Sequence, residues 1–234
     1  MSAATGVAAG AVVAAGAAVL AGEALTYAAK RREIAALRAR CRERGVVALT
    51  YDDGPGPEIT PRLLELLERH GAHATFFSLG RRALLAPAVL DAVAAAGHEI
   101  GCHTLVHRNA WKSAPWAALR DIADGYDALA PWVPADGRFR PPHGKQTLLT
   151  RRALRRRRAP VAWWTIDSGD TFAALPDPSH AAERVRADGG GVVLLHDHGE
   201  DRPAERIDFV LDATERVLAT ARAEGLSVRP LREL

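Results

Sequence analysis

Charge is missing where this chain begins. Residues 1–22 contain no Asp, Glu, Lys or Arg and are mostly Ala, Gly and Val. A run of about 20 such residues can span a bilayer, which marks a signal peptide or membrane anchor. The basic start usual for a secretory signal is also missing, because the first basic residue is Lys30. Cysteine is scarce. Cys41 and Cys102 are the only two, so there is neither a disulfide framework nor a CxxC zinc motif, and the redox compartment is not fixed. Aromatics are few, with three Tyr, five Trp and five Phe in 234 residues. They outline no long sugar-stacking cleft and no separate carbohydrate-binding domain. A basic body is lacking too. Residues 1–45 hold seven Lys or Arg and three Glu of the chain's 31 and 28, which leaves 24 basic and 25 acidic residues beyond them. A general nucleic-acid binder needs a basic face of its own, so nucleic acid is excluded as a partner of the body.

What is present is an ordinary globular composition, with 48% hydrophobic and 25% charged residues. The expected organisation is an apolar leader over 1–29, a basic linker helix over 30–45 and one domain over 46–234. The leader places the protein at a membrane or outside the cell, with a cytoplasmic location as the alternative. Should the leader span, Lys30, Arg31 and Arg32 after it favour a cytoplasmic body. The run Arg151, Arg152, Arg155, Arg156, Arg157 and Arg158 reads first as a solvated helix face, and second as a patch for an anionic polymer or membrane surface. The sequence sets no oligomeric state.

From Val46 onward short apolar runs alternate with amphipathic ones. Strands are predicted at Val46–Tyr51, His73–Phe77, His98–Cys102, Arg138–Arg140, Val161–Ile166, Gly191–His196 and Leu226–Arg229. Helices are predicted from Thr60 to just before Gly71, and at Pro87–Ala96, Pro115–Leu129, Gln146–Arg158, Ser179–Ala187 and Ala204–Glu224. Pro at a helix start and Gly just past its end mark several of these boundaries. Alternation of this kind implies an α/β fold with a parallel sheet. Seven units suit a distorted, incomplete (β/α)7 barrel; an open doubly wound sheet is the alternative.

Titratable residues collect at the predicted C-terminal strand ends, where such barrels carry chemistry. The ends read Asp52-Asp53-Gly54-Pro55, His103-Thr104-Leu105-Val106-His107, Arg140-Pro141-Pro142-His143-Gly144, Asp167-Ser168-Gly169-Asp170 and His196-Asp197-His198. Two His at i and i+4 share one face of a helical turn and reach one cation. A carboxylate from the Asp pair completes a three-ligand set with positions open for water and substrate. Zinc fits these ligands, and other divalent ions are compatible. The second Asp of the pair is free to face the bound water. Arg140 suits pairing with a catalytic carboxylate. His196 suits general acid work, with Asp170 orienting it. Taken singly, Asp-Asp-Gly-Pro is a turn, His196 a core histidine and Arg140 a surface charge. Five clusters at one rim outweigh those readings.

In this order the clusters resemble the polysaccharide deacetylase family (carbohydrate esterase family 4, the NodB homology domain). Thr50-Tyr51-Asp52-Asp53-Gly54-Pro55 is similar to its first motif, and His103 to His107 to its second. Arg140 to Gly144 is similar to the third, Asp167 to Asp170 to the fourth, and Leu194-Leu195-His196 to the fifth. The resemblance covers residues 46–234. It implies that Asp53, His103 and His107 hold one divalent metal, with zinc expected, and that Asp52 is the general base steadied by Arg140. It further implies that His196, supported by Asp170, is the general acid, and that the backbone N–H of His143 helps hold the oxyanion. The activity implied is removal of an N-acetyl group from an N-acetylated glycan such as a chitooligosaccharide or peptidoglycan. Two positions depart from the pattern: Thr171 stands where the fourth motif has Trp, and His143 where the third often has Tyr. Rival readings are a deacylase or deformylase of a lipid-linked or small amino sugar, an inactive sugar-binding module, and a membrane scaffold.

Overall fold

The computed structural model describes residues 3–198 and 204–234, with side chains from Leu20 onward. Helix α1 (Ala3–Arg44) runs without a break through the expected leader and linker. Residues 1–2 and the side chains of residues 3–19 lie outside the described residues. Among the described residues no helix is long and apolar enough to cross a membrane.

Strand β1 (Val46–Asp52) follows, buried at every position. Burial on both sides is why it reads as a continuous apolar run. Helix α2 (Ile59–Arg69) leads to β2 (Thr75–Ser78), then to two short helices, α3 (Gly80–Leu85) and α4 (Pro87–Ala95). Next come β3 (Glu99–Cys102) and α5 (Pro115–Ala128). Helix α6 (Leu148–Arg157) starts on a capping box in which Thr147 and Thr150 satisfy each other's backbone N–H. The remaining elements are β4 (Ile166–Asp167), α7 (His180–Asp188), β5 (Gly191–His196), α8 (Ala204–Ala223) and β6 (Ser227–Val228).

The sheet runs β3-β2-β1-β5-β4, with β6 also on β1, and all pairs are parallel. The predicted strand at Arg138–Arg140 is reduced to single bridges, Cys102 to Phe139 and Phe139 to Val161. Those bridges link the β3 edge to the segment entering β4, so the barrel closes through a distorted wall. Pro141 and Pro142 lack the N–H that would extend pairing beyond Arg140.

The core has two layers. Val47, Leu49 and Tyr51 face the covering helices with Leu63, Leu67, Val210 and Val217. Ala48, Phe77, Ala162 and Val192 pack together in the second, where α1 contributes Cys41 and Leu37. Polar contacts pin α1 further. Arg38 donates to the Thr165 carbonyl at 3.0 Å, Glu33 pairs with Arg151 and accepts from the Trp163 indole at 2.8 Å, and Lys30 donates to the Gly144 carbonyl at 2.7 Å. The stretch expected as a linker is thus part of the folded body.

Candidate active site

Asp52 and His196 are register partners at the C-terminal ends of β1 and β5. Asp53 follows in the left-handed region, at φ 73°. That conformation is costly for a residue with a Cβ. Here it brings to one site two adjacent carboxylates that an extended backbone would send to opposite faces, since both come within 3.7 Å of His103 Nε2. Asp53 Oδ1 comes to 3.4 Å from His103 Nε2 and 3.3 Å from His107 Nε2.

His103 and His107 do not sit on a helical turn as the spacing suggested. Thr104 and His107 both have positive φ, and the segment is an irregular loop. The imidazoles still meet, with ring centroids 4.9 Å apart. The loop is held by a residue that the sequence reading did not single out. Buried Asp121, on α5, accepts from the Val106 and Arg108 N–H groups at 2.9 Å each, and its own carbonyl accepts from Leu105 N–H. The Thr104 hydroxyl accepts from His107 N–H at 3.0 Å. Gly125 lets α5 approach this closely, because a Cβ there would lie 2.5 Å from the Thr104 backbone.

One ligand atom each from Asp53, His103 and His107 lies within 4.8 Å of the others. The Nδ1 of His103 is 2.7 Å from the Arg140 carbonyl. Donation there leaves Nε2 as a free lone pair, the usual second-shell arrangement of a metal-binding His. Burial pushes the His103 pKa down to about 3, against the pull of Asp53, so the ring is neutral. Among the described residues, Asp53 Oδ1 is buried without a hydrogen-bond partner. An orphaned carboxylate oxygen beside two imidazole Nε2 atoms fits a divalent cation.

Around this cluster stand the proton-handling candidates. Asp52 is buried, and Arg140, wholly buried, donates to its Oδ1 at 2.7 Å and to Thr50 Oγ1 at 2.8 Å. The guanidinium also lies 4.2 Å from the Phe77 ring centre. Burial raises the Asp52 pKa, while Arg140 and His196 oppose the rise. The Nδ1 of His196 lies 3.0 and 3.1 Å from the two oxygens of buried Asp170, which also accepts from His196 N–H at 2.9 Å. Burial disfavours the imidazolium, yet Asp170, Asp52 and Asp53 together raise its pKa to about 9. His143 has φ 55°, and its ring centre is 4.4 Å from that of His107.

A second carboxylate escaped notice as a supporting group. Asp197 is buried, accepts from the Thr60 hydroxyl at 2.7 Å, and has its pKa raised to about 7, mainly by burial. Thr60 in turn accepts from Gly56 N–H at 2.8 Å, so Asp197 steadies the turn after Asp53. Gly54 is required there, since a Cβ would fall 2.2 Å from Asp197 Oδ2. The signal was its place beside His196 at a strand end. The Trp164 ring centre lies 5.8 Å from the Arg140 guanidinium, and the ring stands against Gly144. Trp163 turns the other way, toward α1. Arg152, Arg155, Arg156 and Arg158 are exposed, the solvated face expected of α6.

Fold and site together define a metal-dependent hydrolase of the barrel type. A family model described as polysaccharide deacetylase matches residues 39–162, and the chain belongs to that family. A peptidoglycan-N-acetylglucosamine deacetylase of Bacillus cereus is 38% identical over 159 residues, 67% of this chain and 75% of that protein. A chitooligosaccharide deacetylase of Bradyrhizobium is 27% identical over 196 residues, covering 80% and 90%. Among solved structures, the Bc1960 peptidoglycan N-acetylglucosamine deacetylase superposes with a TM-score of 0.71 at 26% identity, over 82% of this chain and 88% of that one.

Proposed function

We propose that this protein removes the N-acetyl group from an N-acetylated glycan, with residues 46–234 as its catalytic domain. The observation that carries the reading is the orphaned Asp53 oxygen facing His103 and His107, with Asp52 and His196 beside it. Asp53, His103 and His107 hold one metal ion, and zinc suits two imidazoles and a carboxylate. When bound, the metal supplies a Lewis acid that acidifies water and polarises the acyl carbonyl. Asp52 takes the proton of the attacking water, and Arg140 keeps that carboxylate ionised and aimed. The His143 N–H, turned by its positive φ, donates to the developing oxyanion. His196 is protonated at neutral pH and gives its proton to the departing sugar nitrogen. Acetate and a free amine result. The apolar leader, residues 1–29, serves as a membrane anchor or export segment, supported by the length and composition of its charge-free run over residues 1–22.

The intact set of Asp52, His103, His107, Arg140 and His196 disfavours an inactive sugar-binding module. The full chain would be assayed for acetate release from N-acetylated chitooligosaccharides, peptidoglycan fragments and small N-acetyl amino sugars. Chelator-sensitive release from one of them is the expected outcome. No release from any of them or from a lipid-linked N-acetylated sugar, with metal bound, would overturn the glycan assignment.

A further inference from the structure

Helix α1 leaves the body at the catalytic rim. Its last residue, Arg44, adjoins the start of β1, where the strands begin. Arg38 reaches the Thr165 carbonyl, and Lys30 reaches Gly144 beside the proposed oxyanion N–H. Higher still, Glu23 accepts from Leu148 N–H at 3.1 Å, and Gly22 touches the Leu148 side chain. Traced backwards, the chain climbs from the strand N-terminal ends to the C-terminal ends. The uncharged residues before Leu20 therefore join the body on the side of the active site.

The rim at this exit carries large apolar side chains in the open. Trp111, Leu148 and Leu149 are 55%, 45% and 49% exposed. They are linked: the Trp111 indole donates to the Gln146 carbonyl, and Lys145 Nζ lies 4.3 Å from the Trp111 ring centre. Lys112 and Arg152 flank them, both exposed. Single exposed apolar residues need no explanation. An apolar group bordered by Lys and Arg, continuous with an uncharged segment of bilayer length, has the make-up of an interfacial surface.

We infer that the catalytic rim docks on an anionic lipid bilayer, so that the substrate is an N-acetylated sugar carried on a membrane lipid. Trp111, Leu148 and Leu149 enter the headgroup boundary, and Lys112, Lys145 and Arg152 meet lipid phosphates. The metal site then opens toward the bilayer surface and the sugars attached there. The substrate clause rests on the deacetylase reading; the docking clause does not.

The test uses the full chain and vesicles of phosphatidylcholine with or without phosphatidylglycerol. Cys41 and Cys102 are buried, so a fluorophore can be placed at Leu149→Cys or at Glu68→Cys, on the exposed far end of α2. Doxyl-labelled lipid should quench the probe at 149 and spare the one at 68. Phosphatidylglycerol should strengthen this quenching. Lys112→Glu combined with Arg152→Glu should weaken binding to the anionic vesicles about tenfold or more. Equal quenching at both positions, no quenching at either, or indifference to phosphatidylglycerol would overturn the docking surface. Acetate release from a lipid-linked N-acetylated sugar in the same vesicles is a separate readout. Docking without release from this or any soluble substrate would refute the deacetylase reading and leave the surface standing.

Discussion

Asp52 and Asp53 are the same residue type at adjacent positions, and the backbone gives them different chemistry. Asp52 ends an extended strand beneath a buried arginine, whereas Asp53 has left-handed φ and an oxygen with no hydrogen-bond partner among the described residues. Asp52→Asn keeps the shape and removes the base. Its kcat is expected to fall by roughly 10²–10⁴, with metal content by elemental analysis unchanged. His103→Ala removes a ligand, and the same analysis should then find the metal lost. His196 makes a pH-dependent contribution. Its pKa is raised from the usual 6.5 to about 9 by its acidic neighbours against burial. A raised native pKa means that the Asp170–His196 pair stabilises the fold in full below about pH 6.5, and that this stability is lost as pH rises through about 9. Thermal melts across that window should show the loss in the native protein and a much weaker one in Asp170→Asn.

At the scale of elements, the proposed metal ligands depend on helices that bear none of them. Helix α5 supplies Asp121, which ties down the loop between His103 and His107. Asp121→Ala is expected to weaken metal binding by about 10–100-fold, the usual effect of losing a group that holds ligands in place, as measured by competition with a chromogenic chelator. Helix α1 packs Cys41 and Leu37 into the second core layer and holds the Gly144 carbonyl through Lys30. Removing residues 1–44 should therefore lower the melting temperature of the remainder. A single buried side chain of this size contributes about 1.5–3 kcal/mol, before the loss of the Glu33 contacts.

For the molecule as a whole, much was legible in the sequence because each strand announces its C-terminal end with polar residues after an apolar run. Val46–Asp52 and Gly191–His196 appear where the pattern put them, and the family follows from the motifs they carry. The strand at Arg138–Arg140 shrinks to single bridges at Phe139, because Pro141 and Pro142 after it offer no N–H to continue the ladder. The helical turn at His103–His107 was also misjudged: i, i+4 spacing suits a helix, but tertiary hydrogen bonds from Asp121 fix a loop. The packing of α1 was hidden because its contacts are single, widely spaced polar residues such as Lys30 and Glu33. The short helix Gly80–Leu85 gave no periodic signal in six residues. All of these parts converge on one claim, that a single metal ion at Asp53, His103 and His107 runs the hydrolysis. Metal-stripped full-length protein titrated with zinc, with acetate release followed on a responsive N-acetylated substrate, tests that claim most directly. Activity should be absent at the start and level off at one metal per chain. Undiminished release from the stripped protein would contradict it.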